Sequence, residues 1–159
     1  VSTKLPADGI YYVQVSDVQH HGGDAYNYYL RVAAPQADFA LRMTPSSVSV
    51  PAGSNAPITV YAYRKDGWDG DIDLVLNGAP EGFALNNARI PAGKDHVTVN
   101  LTAPRKPSEQ PISLHIEGHA VVGDRTINRP VIPTERMMQA FAYYHLVPAQ
   151  QLMVIVTRR

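Results

Sequence analysis

The stretch Ile58-Thr59-Val60-Tyr61-Ala62-Tyr63, closed by the turn Lys65-Asp66-Gly67, decides the reading of this chain. Ile58, Val60 and Ala62 fall on one side and Thr59, Tyr61 and Tyr63 on the other, the period-two pattern of a half-buried strand. Asp-Gly then supplies the turn. The pattern recurs outward in both directions. It returns in Phe39-Ala40-Leu41-Arg42-Met43, in 46–50 with Val48 and Val50 inward, and in Ile72-Asp73-Leu74-Val75-Leu76. It returns again in Val97-Thr98-Val99-Asn100-Leu101 and Ile112-Ser113-Leu114-His115-Ile116. Between these runs stand Pro51-Ala52-Gly53, Gly78-Ala79-Pro80-Glu81-Gly82, Pro91-Ala92-Gly93-Lys94 and Val122-Gly123-Asp124-Arg125, all with turn chemistry. Stacking two antiparallel sheets about 10 Å apart buries the alternate apolar side chains between them. The expected fold is all-β: an immunoglobulin-like antiparallel β-sandwich over 38–128, with flanking strands from an adjacent sandwich.

Composition narrows the function. The 159 residues are 45% hydrophobic and 18% charged, as in a globular chain able to build one sizeable core. Fourteen basic and fourteen acidic residues cancel, so the phosphate attraction on which nucleic-acid binding rests is lacking. With no cysteine, disulfides, thiol nucleophiles and cysteine-ligated metals are excluded together. No apolar run approaches the ~20 residues that span a bilayer. Val1-Ser2-Thr3-Lys4 carries neither an initiator methionine nor a signal-type apolar region, so the chain is expected to be an excised or processed piece.

The flanks read as strands too. Tyr11, Val13 and Val15 share one face of 10–15, and Tyr26, Tyr28, Leu30 and Val32 share one face of 26–32. With His20-His21-Gly22-Gly23-Asp24 between them, the two runs predict a hairpin. Ala33-Ala34-Pro35-Gln36-Ala37 breaks the pattern and marks a domain boundary. Beyond 128, the composition of 134–142 favours helix, with Thr134 as an N-cap, against a strand reading. Strands are expected throughout 129–159, the last being 152–156, apolar enough for a strand covered on both faces. Whether 129–159 completes the sandwich or begins another stays open.

Two blocks resemble known families. Asp8-Gly9-Ile10-Tyr11-Tyr12-Val13-Gln14-Val15-Ser16-Asp17, followed by Gly22-Gly23-Asp24-Ala25-Tyr26-Asn27-Tyr28-Tyr29-Leu30-Arg31-Val32, resembles the closing strands of the bacterial pre-peptidase C-terminal (PPC) domain. That family is a small β-sandwich appended to exported proteases and other secreted proteins; the resemblance covers 1–34, without the upstream strands. The second block holds Arg64-Lys65-Asp66-Gly67-Trp68-Asp69-Gly70-Asp71-Ile72-Asp73-Leu74, Pro80-Glu81-Gly82-Phe83 and Ile90-Pro91-Ala92-Gly93. It is similar to immunoglobulin-like repeats of large exported bacterial surface proteins. The resemblance implies an extracytoplasmic, multi-domain parent in which this chain is a spacer or binding module, and it implies no catalytic residue.

Candidate chemistry is sparse. His115-Ile116-Glu117-Gly118-His119 has two histidines four apart around a glutamate, but a zinc-protease helix needs His-Glu-x-x-His. On a strand, positions four apart are ~13 Å from each other, too far for one metal. Asp69, Asp71 and Asp73 have the spacing that begins a calcium loop, but Leu74 and Pro80 stand where the glycine and glutamate belong. A sandwich-loop calcium site on Asp66 and Asp69 stays open. No Gly-x-Ser-x-Gly elbow is present. The sequence therefore assigns no catalytic residue, no metal ligand and no cofactor. Tyr61, Tyr63 and Trp68 are the candidate ligand contacts, as rings that could stack on sugar or anchor a protein; the competing reading folds Trp68 over the sandwich mouth as a core cap.

These observations point to a non-catalytic structural or protein-interaction module of a secreted or surface bacterial protein. The alternatives are a carbohydrate-binding module and an accessory domain of an exported peptidase. The expected partners are other domains of the parent, a polysaccharide or a surface protein, with no nucleic acid, and unpaired edges at 1–34 predict dimerisation.

Overall fold

Strand formation begins at Asp38. In the computed structural model, which describes residues 3–138, 141 and 143–158, the strands are β1 (Asp38–Thr44), β2 (Ser47–Pro51), β3 (Asn55–Lys65) and β4 (Ile72–Asn77). They continue with β5 (Ala84–Asn86), β6 (Arg89–Ile90), β7 (His96–Thr102), β8 (Ile112–Val122), β9 (Arg125–Met138), β10 (Tyr144–Pro148) and β11 (Leu152–Thr157). The chain separates into two units, Val1–Gln36 and Ala37–Arg159.

The second unit is an all-β sandwich of two layers. One layer runs β1-β3-β7-β5, antiparallel throughout, with Leu41 opposite Ala62 and Ile58 opposite Val99. The other layer runs β6-β4-β8-β11-β2; all its pairs are antiparallel except β11 with β2, which run parallel, Val154 beside Val48 and Val156 beside Val50. After a cis Thr44–Pro45 peptide the chain passes from the first layer to the second. Facing side chains fill the gap: Phe39, Leu41, Met43, Ile58, Val60, Val99 and Leu101 from one side; Ile72, Leu74, Leu114, Ile116, Leu152, Val154 and Val156 from the other. At Gly118 the layers approach so closely that a Cβ would lie 2.2 Å from Leu41 Cδ1 and 2.9 Å from Ile72 Cγ2. Only glycine fits there without displacing the core.

The fate of 129–159 departs from the boundary expected at 128. β9 runs through it without a break: 125–130 pairs with β8, 131–133 pairs parallel with β1, and 134–138 pairs with β10. β9 thus bridges the two layers. β11 lies between β8 and β2, with Leu152, Val154 and Val156 fully buried. The sandwich accordingly extends to Thr157. The helical tendency of 134–142 yields to ladder hydrogen bonds as far as Met138; residues 139, 140 and 142 of that stretch lie outside the described residues.

In the first unit, residues 3–36 form no strand and are exposed almost throughout. The hairpin expected from 10–15 and 26–32 is not formed there. A two-stranded hairpin alone is marginal in water, and Tyr11, Val13, Val15, Tyr26, Tyr28, Leu30 and Val32 are all exposed, so no burial rewards pairing. Local contacts remain: Asp17 accepts hydrogen bonds from the backbone of Gln19 and His21, and the His21 ring stacks on Tyr26 at 5.8 Å.

Candidate functional site

Arg64 organises one pole of the sandwich. It follows Ile58, Val60 and Ala62 on the inward side of β3, an unusual place for a cation, and its side chain is 14% exposed. The guanidinium donates to the carbonyls of Gly70, Pro91 and Lys94, pairs with Asp69 at 3.3 Å, and lies over the Trp68 ring at 5.2 Å. Asp66 and Gly67, with φ of 51° and 76°, make the tight turn that delivers Trp68, closed by Trp68 N–H donating to Lys65 C=O at 3.1 Å. Trp68 stacks on Phe39 at 5.3 Å and packs against the core. Arg64 thus ties the β3–β4 loop to the loop between β6 and β7, a role the sequence signalled only as a charge on an inward position.

Tyr61 and Tyr63 lie elsewhere, on the outer face of the β1-β3-β7 sheet. In register across that face stand Ile132, Arg42, Tyr61 and His96. Arg42 lies over the Tyr63 ring at 5.2 Å, and Tyr61 tilts against His96 at 6.0 Å. The three aromatic candidates therefore do not share one surface: Trp68 belongs to the mouth of the core, the tyrosines to the outer face. Sequence reasoning passed over Arg42 and His96 because alternation reveals a face but not the neighbour across the ladder.

The acidic loops are occupied by protein groups. Asp69 accepts the Gly93 N–H at 2.9 Å, Asp71 accepts the Ala92 N–H at 2.8 Å and pairs with Arg89, and Arg89 also faces Asp73 at 3.7 Å. The Ala92 N–H and then the Arg89 hydrogen bond hold the Asp71 carboxyl below its ordinary range, while Asp71 raises Arg89 in turn. Among the described residues no three histidines or carboxylates converge in a way that could hold a metal. His115, Glu117 and His119 alternate on β8, with His119 and Glu117 3.3 Å apart.

Clefts dent the surface of the described residues. One of about 500 Å³ is lined by Ala52, Gly53, Arg105, Pro107 and Arg158 at the opposite pole. Another, about 330 Å³, lies over β2 and β11. A third, about 340 Å³, holds the Asp71, Asp73 and Arg89 group beside His119.

No family model matches the chain, and no curated protein matches it in sequence. The resemblance of 8–32 to the PPC domain thus rests on the residues quoted for it. Among solved structures, the chain is similar to domains 4 and 5 of the S-layer protein SbsC, at 17% identity and a TM-score of 0.38 over 63% of this chain and 53% of that one. It is also similar to the D00-D0 domain of intimin, at 17% identity and a TM-score of 0.38 over 62% of this chain and 46% of that one. The chain thus spans about half the length of each.

Proposed function

We propose that the chain is a non-catalytic structural module that carries tension within an exported, multi-domain surface protein. The observation behind this reading is where the sandwich takes in and releases the chain. β1 starts beside Lys65, at the Arg64 pole; β11 ends beside Pro51, with Ala52 N–H donating to Thr157 C=O at 2.9 Å. The eleven residues of β3 separate these points by roughly 34 Å. Modules with ends at opposite poles can be strung end to end. Because β2 and β11 run parallel and are bonded side by side, a pull between the poles slides one along the other, loading their hydrogen bonds together rather than one at a time.

The polar chemistry supports the same reading: Arg64, Asp69, Asp71 and Arg89 are engaged in fixing loops. The exported, multi-domain setting follows from the likeness of 64–93 to repeats of bacterial surface proteins. The test uses the absence of native cysteine, which allows handles to be placed at will. Single molecules pulled between Ala37→Cys and Arg158→Cys are expected to unfold in one high-force event. Pulled between Ala37→Cys and Lys65→Cys, across the β1–β3 ladder, they are expected to yield at clearly lower force. Equal forces in the two geometries would overturn the load-bearing role.

A further inference from the structure

We propose that the outer face of the β1-β3-β7 sheet binds a carboxylate-bearing polysaccharide through Arg42, Tyr61 and Tyr63. This is independent of the load-bearing reading. Arg42 is the charged group beside the tyrosines; like Arg136, which lies over the Tyr144 ring at 4.1 Å, it has no carboxylate partner among the described residues. Lys65, Arg64, Arg89 and Arg129, by contrast, each face an aspartate. Asp38, on the same strand, is held by Arg129 at 3.0 Å and Lys65 at 3.6 Å.

Arg42 is half-buried and its guanidinium lies over the Tyr63 ring, which restrains the fork before any ligand arrives. A preorganised, unpaired guanidinium favours a planar carboxylate, which it can grip with two parallel hydrogen bonds.

The surroundings favour sugar over peptide. Peptides are captured along free strand edges or in grooves, and beside Arg42 and the tyrosines β1 and β3 are flanked by other strands, the edge left open on β7 at 96–99 lying one strand away. A flat face suits a chain of sugar rings. Tyr63, 44% exposed, offers an aromatic surface for the apolar C–H side of such a ring. One strand pair further along, Thr44, Thr59 and Thr98 stand in register beside Asn100, adding hydroxyl and amide groups for ring hydroxyls.

The experiment titrates the full chain with polygalacturonate, with its methyl-esterified form, with dextran sulfate and with polyglutamate, at physiological salt. Thermal melts verify that every variant is folded. Saturable binding to polygalacturonate is expected, weaker for the ester and for the other two polyanions. Arg42→Gln should weaken it roughly tenfold or more, as loss of a charge-assisted pair implies. Tyr63→Ala should weaken it severalfold, and Arg42→Lys should fall between wild type and Arg42→Gln. No binding by the wild type would overturn the proposal. So would unchanged binding in folded Arg42→Gln and Tyr63→Ala, equal binding of dextran sulfate, which would show charge alone, or a preference for polyglutamate, which would show a peptide site.

Discussion

Residues 26–32 and 58–64 read almost alike, Tyr-Asn-Tyr-Tyr-Leu-Arg-Val against Ile-Thr-Val-Tyr-Ala-Tyr-Arg, yet only the second is a strand. Both alternate, and both carry tyrosines and one arginine. In 58–64, Ile58 and Val60 are fully buried between β1, β7 and the opposing layer. In 26–32, Tyr26, Tyr28, Leu30 and Val32 face solvent, and the turn at Gly23 is closed locally, by the Tyr26 N–H to Gly23 C=O bond, the Asn27 amide donating to Asp24 C=O and the His21–Tyr26 stack. Alternation states which side chains would share a face; whether a strand forms depends on something for that face to meet.

That contrast can be broken most directly at its centre. Ile58→Ala should destabilise the sandwich by about 2–5 kcal/mol, whereas Leu30→Ala should stay within about 0.5 kcal/mol of wild type. Urea unfolding of the two variants checks this, and comparable losses would mean that 26–32 is packed after all. Gly118→Ala comes next, at about 1–3 kcal/mol, because the added methyl must force Leu41 and Ile72 aside. A Leu41→Ala background should relieve part of that penalty, which a double-mutant cycle would reveal.

Arg64→Met keeps the stem but leaves the Gly70, Pro91 and Lys94 carbonyls without their donor. A loss of about 1–3 kcal/mol is expected, with faster hydrogen exchange in the two loops while β8 and β11 stay protected. Arg31, the arginine of the other stretch, is exposed and should tolerate the same change without effect.

The smallest effect concerns pH. Partial burial pushes the Asp38 carboxyl upward, but the Arg129 hydrogen bond, the Phe39 N–H and the charges of Arg129 and Lys65 outweigh it and leave it below the ordinary value. Asp71 is lowered as well. A carboxyl depressed in the folded state contributes stability that is present above its unfolded value, near 3.8, and is lost as pH falls through the folded one. Urea midpoints should therefore drop as pH goes below about 4, and Asp38→Asn should flatten that slope. Leu30→Asp would place a new carboxyl in the exposed stretch and should leave the slope as it is.

Much of the sandwich was legible because burial repeats with period two. Phe39, Leu41, Ile58, Val60, Ile72, Leu74, Val99, Leu101 and Leu114 could each be placed inward from neighbours in sequence alone, and the turns at 51–53, 65–67 and 91–94 followed from glycine, proline and aspartate. The candidate sites were legible only as residue types. Tyr61, Tyr63 and Trp68 are close in sequence, yet the turn at Asp66-Gly67 sends Trp68 onto Phe39 while the tyrosines stay outside. Arg42 became a partner of Tyr63 only through the register of β1 on β3.

By itself, then, the sequence determined that this protein is a two-layer β-sandwich, since side-chain alternation and turn chemistry act within a few residues of chain. Tertiary structure alone decided that β9 passes from one layer to the other, that β11 closes the sandwich beside β2, and that 26–32 goes unpaired. Those outcomes depend on which strand finds a partner far along the chain, and no local pattern encodes the identity of that partner.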